Sequence, residues 1–506
     1  MLSCFHAHVL SLAFTILAIA LAFNLFLGRQ GKGLQVFGRG WRLPLTMGTT
    51  ALILGGLFTM NGWDFPTYVG LTVVCIVLQQ WLVYHSRFCL ELLLDIFTAC
   101  AGLIALSFIL YIPFYLNFIS PSQGLGFVGP ADRSPLSSEI LIYGMFAFVF
   151  LSLLLARIFK HPFFARHTHP PAEISSSTTT ARMTWLNKGV VSVLLVLVAA
   201  VITFFLLRNS ATFVLAASIA AFGVIALLFS LRDRSQTFIL LLGSLAFALV
   251  ALCEVIYLKD VFAGGDFLRM NTVFKFYFQA WALLSVTSGA GLYFILESFR
   301  PEATVARAQL WLQRGVQWLW LAGLLLLLLA SSVYPLVGTY ARTNHYMQRT
   351  NSLDGINYLQ NCNVPDCDYD TSGDYAAIRW LNSHVSGAPV IVEAVGDDYS
   401  SYARISAFTG LPTPMGWVGH EYQWRVNWLN NGLNAVDFDS RKSDVDTIYT
   451  DPHPAVVMSL LARYHVRYLY VGLLEQMKYP AANLHRFSAF LHVVYSANGV
   501  TIYEVN

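Results

Sequence analysis

Long apolar runs constrain this chain more than any other feature. About ten stretches are mostly apolar and near the length of roughly 20 residues that a helix needs to cross a hydrocarbon core. They fall at 8–27, 45–61, 67–84, 92–113, 138–158, 189–207, 211–231, 236–256, 274–297 and 315–335. Only 12% of the 506 residues are charged, against about 25% in a soluble domain. Mean hydropathy is +0.57. A surface so poor in charge cannot face water throughout, so the runs predict a polytopic membrane protein of about ten transmembrane helices. The net charge of +3 is too balanced for a nucleic-acid binder.

That balance hides a division. Residues 1–340 carry 20 basic and 12 acidic side chains, whereas 341–506 carry 11 and 16. The first part reads as the membrane domain and the second as a soluble acidic domain. Loops on the cytoplasmic side accumulate Lys and Arg. One set of alternate loops, from Arg29 to Arg42, at Arg87, from Arg157 to Lys188, at Arg232 and Arg234, and from Arg300 to Arg314, holds 15 of them. The opposite set holds 5: Arg133, Arg208, Lys259, Arg269 and Lys275. This parity predicts a multi-pass protein of the cell membrane, with the N-terminus and residues 341–506 extracytoplasmic and 159–188 as a cytoplasmic linker. Pro and Ser/Thr clusters within that linker suit a solvated connection, and its His161, His167 and His169 read as loop residues rather than metal ligands.

The C-terminal part predicts an α/β domain. Residues 374–384 have helical spacing, with Ile378 and Leu381 on one face. Residues 389–395 and 466–471 are β-branched and aromatic runs of strand length, and Ala497-Asn498-Gly499 suits a hairpin turn between 493–495 and 500–505. Residues 454–464 suit another helix. Five cysteines (Cys4, Cys75, Cys89, Cys100 and Cys253) sit in or beside membrane runs and read as small apolar residues. Cys362 and Cys367, in a short loop on the oxidising side, are expected to form a disulfide. Half a metal site is the competing reading of that pair.

Polar residues expected at the outer face form one population: His6 and His8, Asn61 to Pro66, the loop 115–135, Arg208, Glu254, and Asp260 to Lys275. Ionisable groups at membrane depth are costly and usually pair or serve function. Asp64, near a helix start, ordinarily reads as a cap. Asp266 and Arg269 read either as an i,i+3 ion pair or as a site, and Tyr277 and Lys275 suit an interfacial belt. Glu91 and Asp95 fall at the inner end and receive no role. In the external part, aromatics mixed with acid, amide and Arg over 396–425 suit sugar contacts, or equally a buried docking loop.

Several of these stretches carry a resemblance. FHAHVLSLAFT (5–15), NGWDFPTY (61–68), GDFLRMNTVFKFYFQAW (265–281), DYAAIRWLN (374–382), RISAFTGLPTPMGWVGHEYQWR (404–425), SDVDTIYT (443–450) and VRYLYVG (466–472) resemble the YYY-type membrane proteins of archaea and Chloroflexi, an uncharacterised family similar in layout to GT-C glycosyltransferases. In that family the His-Ala-His piece follows an Asp and several earlier helices. Here Cys4 stands at the Asp position. The comparison therefore implies a chain lacking the family's first half and its usual catalytic acid, either a remnant or half of a split enzyme whose partner supplies that half.

The resemblance implies transfer of a sugar from a polyprenyl-phosphate carrier at the outer face. Such transfer needs a carboxylate to deprotonate the acceptor and cations or a divalent metal for the leaving phosphate. Asp266 or Asp64 is expected as the acid/base or metal ligand, and Arg269 with Lys275 on the phosphate. His6, His8, Trp417, His420 and Glu421 are expected to line the acceptor or sugar pocket. A transporter or lipid-handling protein predicts polar residues near the bilayer centre, and a non-catalytic remnant predicts no turnover.

Overall fold

The computed structural model describes residues 7–505 except 30, 121, 161–202, 204–209, 232, 261–264, 300–306, 343–353, 361, 363–368 and 431–434. Almost all of the expected run 189–207 and of the linker, together with His6, Arg208 and Cys367, thus lie outside the described residues. So does the Asp266 side chain. The chain divides into two compact units, one of Met1–Phe118 with Gly124–Pro335 and the other of Ile119–Gln123 with Leu336–Asn506.

The first unit is helical. Its long helices are α1 (Leu12–Leu27), α2 (Arg42–Met60), α3 (Asp64–Val83), α4 (Leu90–Ile109), α5 (Leu136–Lys160), α6 (Ala211–Ser230), α7 (Arg234–Cys253), α8 (Met270–Ser298) and α9 (Arg307–Val333). Among the described residues, eight helices are long and apolar enough to cross a membrane, α9 among them with its continuation to Arg342; α1, at 16 residues, is shorter. Seven of the expected runs coincide with α2 to α8 and an eighth with α9. Hydroxyls buried within these helices donate to carbonyls four residues back, as Ser107 does to Leu103 (2.9 Å), Ser230 to Ala226 (2.7 Å) and Ser244 to Leu240 (2.6 Å). Such bonds satisfy a hydroxyl where no water reaches.

Helix α7 forms the centre, with 83% of its apolar window buried. Gly243 of α7 and Gly223 of α6 leave the space that Phe150 of α5 fills. A Cβ on Gly243 would stand 2.2 Å from the Phe150 ring, and that ring stacks on Phe247 at 5.8 Å. At one end of the bundle Arg234 caps α1, donating to the Phe26 and Gly28 carbonyls (2.5 Å each). Fully buried Gln79 and Gln80 bond the carbonyls of Gly28 and Gly31 there. Asp95 accepts the Tyr84 hydroxyl at 2.6 Å. At the other end two short strands, β1 (Leu125–Phe127) and β2 (Ile256–Leu258), pair antiparallel.

The second unit contains α10 (Ser372–His384), β3 (Val390–Val392), α11 (Arg404–Thr409), α12 (Val418–Asn430), α13 (Ala435–Thr450), α14 (Pro454–Arg463), β4 (Val466–Val471), α15 (Leu473–Lys478), β5 (His492–Ala497) and β6 (Val500–Glu504). The sheet order is β3-β4-β6-β5, with β3 and β4 parallel and the other pairings antiparallel. Asn498 and Gly499, both at positive φ (52° and 76°), make the β5–β6 turn as a two-residue loop of that type requires.

Candidate functional site

Asp64, Lys275, Arg269, Glu254 and Glu139 lie at the end of the bundle that carries β1 and β2, in two adjoining clusters. The first centres on Asp64. Asp64 opens α3 but does not cap it; no side-chain cap bond forms there. Its carboxylate, 2% exposed, instead accepts the Ser11 hydroxyl at 2.6 Å from just before α1. Gln279 of α8 braces the same turn, donating to the Trp63 carbonyl (2.8 Å) and accepting from Thr67 (2.5 Å). Lys275, one turn earlier in α8, holds its ammonium 5.1 Å from the Trp63 ring centroid. Among the described residues Lys275 has no hydrogen bond or ion pair to an acid. His8 is buried with its ring edge-on to Phe274 and Phe278, 4.7 Å from each. The structure therefore brings His8, Asp64 and Lys275 to one place.

Arg269 belongs to the second cluster. The expected helix through Asp266 and Arg269 is interrupted: α8 begins at Met270, with Arg269 at its N-cap, and Asp266 lies in a one-turn helix, Gly265–Phe267. Arg269 pairs with fully buried Glu254 at 2.8 Å rather than along its own helix. It also donates to the Cys253 carbonyl (2.8 Å) and to Ser134 Oγ (2.9 Å). With these bonds made, its guanidinium works as a brace between α7, α8 and the segment before α5. Beside it Tyr277 donates to buried Glu139, and Tyr143 donates to the Tyr277 carbonyl at 2.9 Å.

No group of three His, Cys, Asp or Glu side chains stands ready to hold a metal among the described residues. Among the described residues the donors at Asp64 do not by themselves make up a set for the expected divalent ion. Cys362 is disulfide-bonded, while Cys367, its expected partner, lies outside the described residues. Cys75, Cys100 and Cys253 are free and buried, as small apolar residues are, and Cys89 is free and half-buried.

In the second unit the expected sugar residues separate. Trp417 and His420 share an aromatic face with Tyr399 and Trp424. Glu421 pairs with Arg425 at 2.9 Å and lines a cavity of about 60 Å³ with Met415 and Arg441, room for a water or two. A larger cleft of about 510 Å³ opens elsewhere, between α10 and Phe408, lined by Asp354, Ile356, Arg379 and Asn382. The most buried charges lie elsewhere again. Arg404 meets Asp374 (2.6 Å), Glu475 (2.9 Å) and Glu393 (3.8 Å). Every carboxylate is further bonded: Asp374 by Tyr369 and Tyr470, Glu393 by the Ile405 and Ser406 amides, Glu475 by the Ala394 and Gly472 amides. Burial pushes the Glu393 carboxyl above its usual range, against the pull of Arg404. Burial also works against the Arg404 charge, but Glu475 and Asp374 outweigh it and hold its pKa above the ordinary value. The network ties α10, β3, α11 and α15 together and offers nothing to a ligand.

Residue patterns alone do not reveal Ser11, Gln279, Glu139 or the Arg404 network, because each acts through partners far along the chain. Gln279 carried the one usable signal, an amide within an apolar run. No curated protein and no solved structure matches the chain. The profile described as "Uncharacterized membrane protein (DUF2298)" matches residues 1–284, which holds the whole Asp64 cluster and more than half of the sequence. The chain belongs to this family of membrane proteins.

Proposed function

We propose that this protein is a membrane transferase of GT-C type that moves a sugar from a polyprenyl-phosphate carrier at the outer membrane face. The observation that carries the reading is a buried carboxylate, Asp64, and an ammonium, Lys275, that makes no hydrogen bond or ion pair to an acid among the described residues, both set about Trp63 at one end of the bundle. Asp64 takes the proton of the acceptor hydroxyl as its oxygen attacks the anomeric carbon. The bond from that carbon to the phosphate oxygen breaks, the phosphate leaves with the electron pair, and Lys275 meets the developing charge. Lys275 replaces Arg269 in this role because Arg269 is held by Glu254. The excess of Lys and Arg in alternate loops supports placing this end, and the second unit, outside.

The test uses the full chain in lipid nanodiscs with a radiolabelled polyprenyl-phosphate hexose and a panel of acceptor alcohols. Wild type should release polyprenyl phosphate. Asp64→Asn should lower release by about a hundredfold or more, the scale of lost acid–base catalysis, while sparing carrier binding. Lys275→Gln should weaken carrier binding itself. Binding without release in wild type would favour a lipid-handling protein, and undiminished release in Asp64→Asn would refute the assignment.

A further inference from the structure

The second unit exposes aromatic surface in a way that a solvated domain ordinarily avoids. Trp417, His420 and Trp424 recur at helical spacing along the start of α12 and its first turns, and Tyr399 joins them from the preceding loop. Ring centroids step from Tyr399 to Trp417 (5.3 Å), Trp417 to His420 (6.1 Å) and His420 to Trp424 (6.3 Å). Tyr399 is 73% exposed and Trp424 54%.

The rings are held rather than loose. Trp417 Nε1 donates to the Tyr402 carbonyl at 2.7 Å, and Trp424 Nε1 to His420 Nε2 at 3.4 Å. Asp398 accepts the Gly419 amide at 3.0 Å, tying the loop to the helix. A Cβ on Gly419 would stand 2.1 Å from that carboxylate, so only glycine permits the contact. Tyr399 and Ala403 sit at positive φ (57° and 67°), a conformation that non-glycine residues adopt at a cost and that gathers at binding sites. The indole N–H groups are satisfied within the protein, so what is left for a partner is ring surface.

The charge beside the rings decides what partner that is. Asp397 and Asp398 are exposed and form no ion pair among the described residues, while Glu421 and Arg425 neutralise each other. An anionic lipid surface is repelled by such a rim. A neutral sugar is suited to it: its C–H face packs on the electron-rich ring faces, and its hydroxyls donate to the carboxylates.

We infer that the Tyr399–Trp417–His420–Trp424 face is a binding surface for a neutral oligosaccharide. Recognition there requires no catalysis, so the inference stands apart from the transferase reading. Rings already fixed in place lose little freedom when the ligand lands.

The experiment reads saturation-transfer NMR and titration of the full chain in nanodiscs of neutral lipid with hexasaccharides of glucose, mannose and N-acetylglucosamine. At least one should bind, and Trp424→Ala and Tyr399→Ala should each weaken it by about tenfold, as loss of an aromatic anchor does. Trp424→Phe, which keeps a ring, should stay within about threefold of wild type. Both positions are exposed, and an unchanged thermal transition in each variant confirms folding. Failure of all three sugars to bind wild type overturns the inference, as does equal binding by Trp424→Ala. Preferential binding of the face to anionic vesicles, lost in Trp424→Ala, also overturns it and makes the face a membrane contact. Carrier turnover at Asp64 is unaffected by any of these outcomes, so this reading and the transferase reading fail separately.

Discussion

Asp64 and Arg404 show how differently a charge can be buried. Asp64 opens its helix, and its carboxylate takes a hydroxyl from Ser11, 53 residues away. Arg404 is the opposite case. Three carboxylates surround one guanidinium that is only 3% exposed, and their spare lone pairs are taken by amides and tyrosine hydroxyls. Removing the cation leaves the carboxylates facing each other without compensation, which costs about 3–5 kcal/mol for a broken buried pair. Arg404→Met should therefore destabilise the second unit by at least that amount, and limited proteolysis of the full chain should show cleavage confined to residues 336–506. A variant that resists protease like wild type would mean that the network is dispensable.

Helix packing in the first unit depends on where side chains are missing as much as on where they are present. Phe150 reaches full burial only because Gly223 and Gly243 open a slot on α6 and α7. Neither glycine has a positive φ, so close approach and not backbone freedom is the reason for them. Gly243→Ala would drive a methyl into the Phe150 ring, and overpacking of this kind costs about 1–3 kcal/mol. The expected result is a lower thermal transition for the purified protein, with recovery in the Gly243→Ala/Phe150→Leu double variant. If the single variant melts like wild type, the helices separate more easily than a packed core allows. Helix α8 makes a related point at its start. An uninterrupted helix over 265–281 would have put Asp266 and Arg269 on one face, but the backbone breaks before Met270, and Arg269 turns to Glu254 at the end of α7. The spacing was visible in the sequence, whereas the partner came from another element.

At the scale of the whole molecule, the uneven distribution of Lys and Arg predicts both ends of the topology. A reporter fused after Asn506 should behave as external, and one inserted within 162–184 as cytoplasmic. Reporters landing on the same side would show an odd number of crossings miscounted and would move every proposed site to the other face. The runs of apolar residues determined α2 to α8 to within about four residues at each end, because about twenty residues of hydrocarbon depth leave an uncharged segment no other way to satisfy its backbone, while α9 starts eight residues earlier than its run, at Arg307. The turn at Asn498-Gly499 and the strand 466–471 were equally legible, since local backbone preference and side-chain alternation act over only a few neighbours. Burial at Asp64 and the pairing of Arg269 with Glu254 were decided only by tertiary structure. Each depends on which distant residue arrives alongside, and a hydrogen bond or ion pair formed across 53 or 15 positions leaves no periodic trace in the chain.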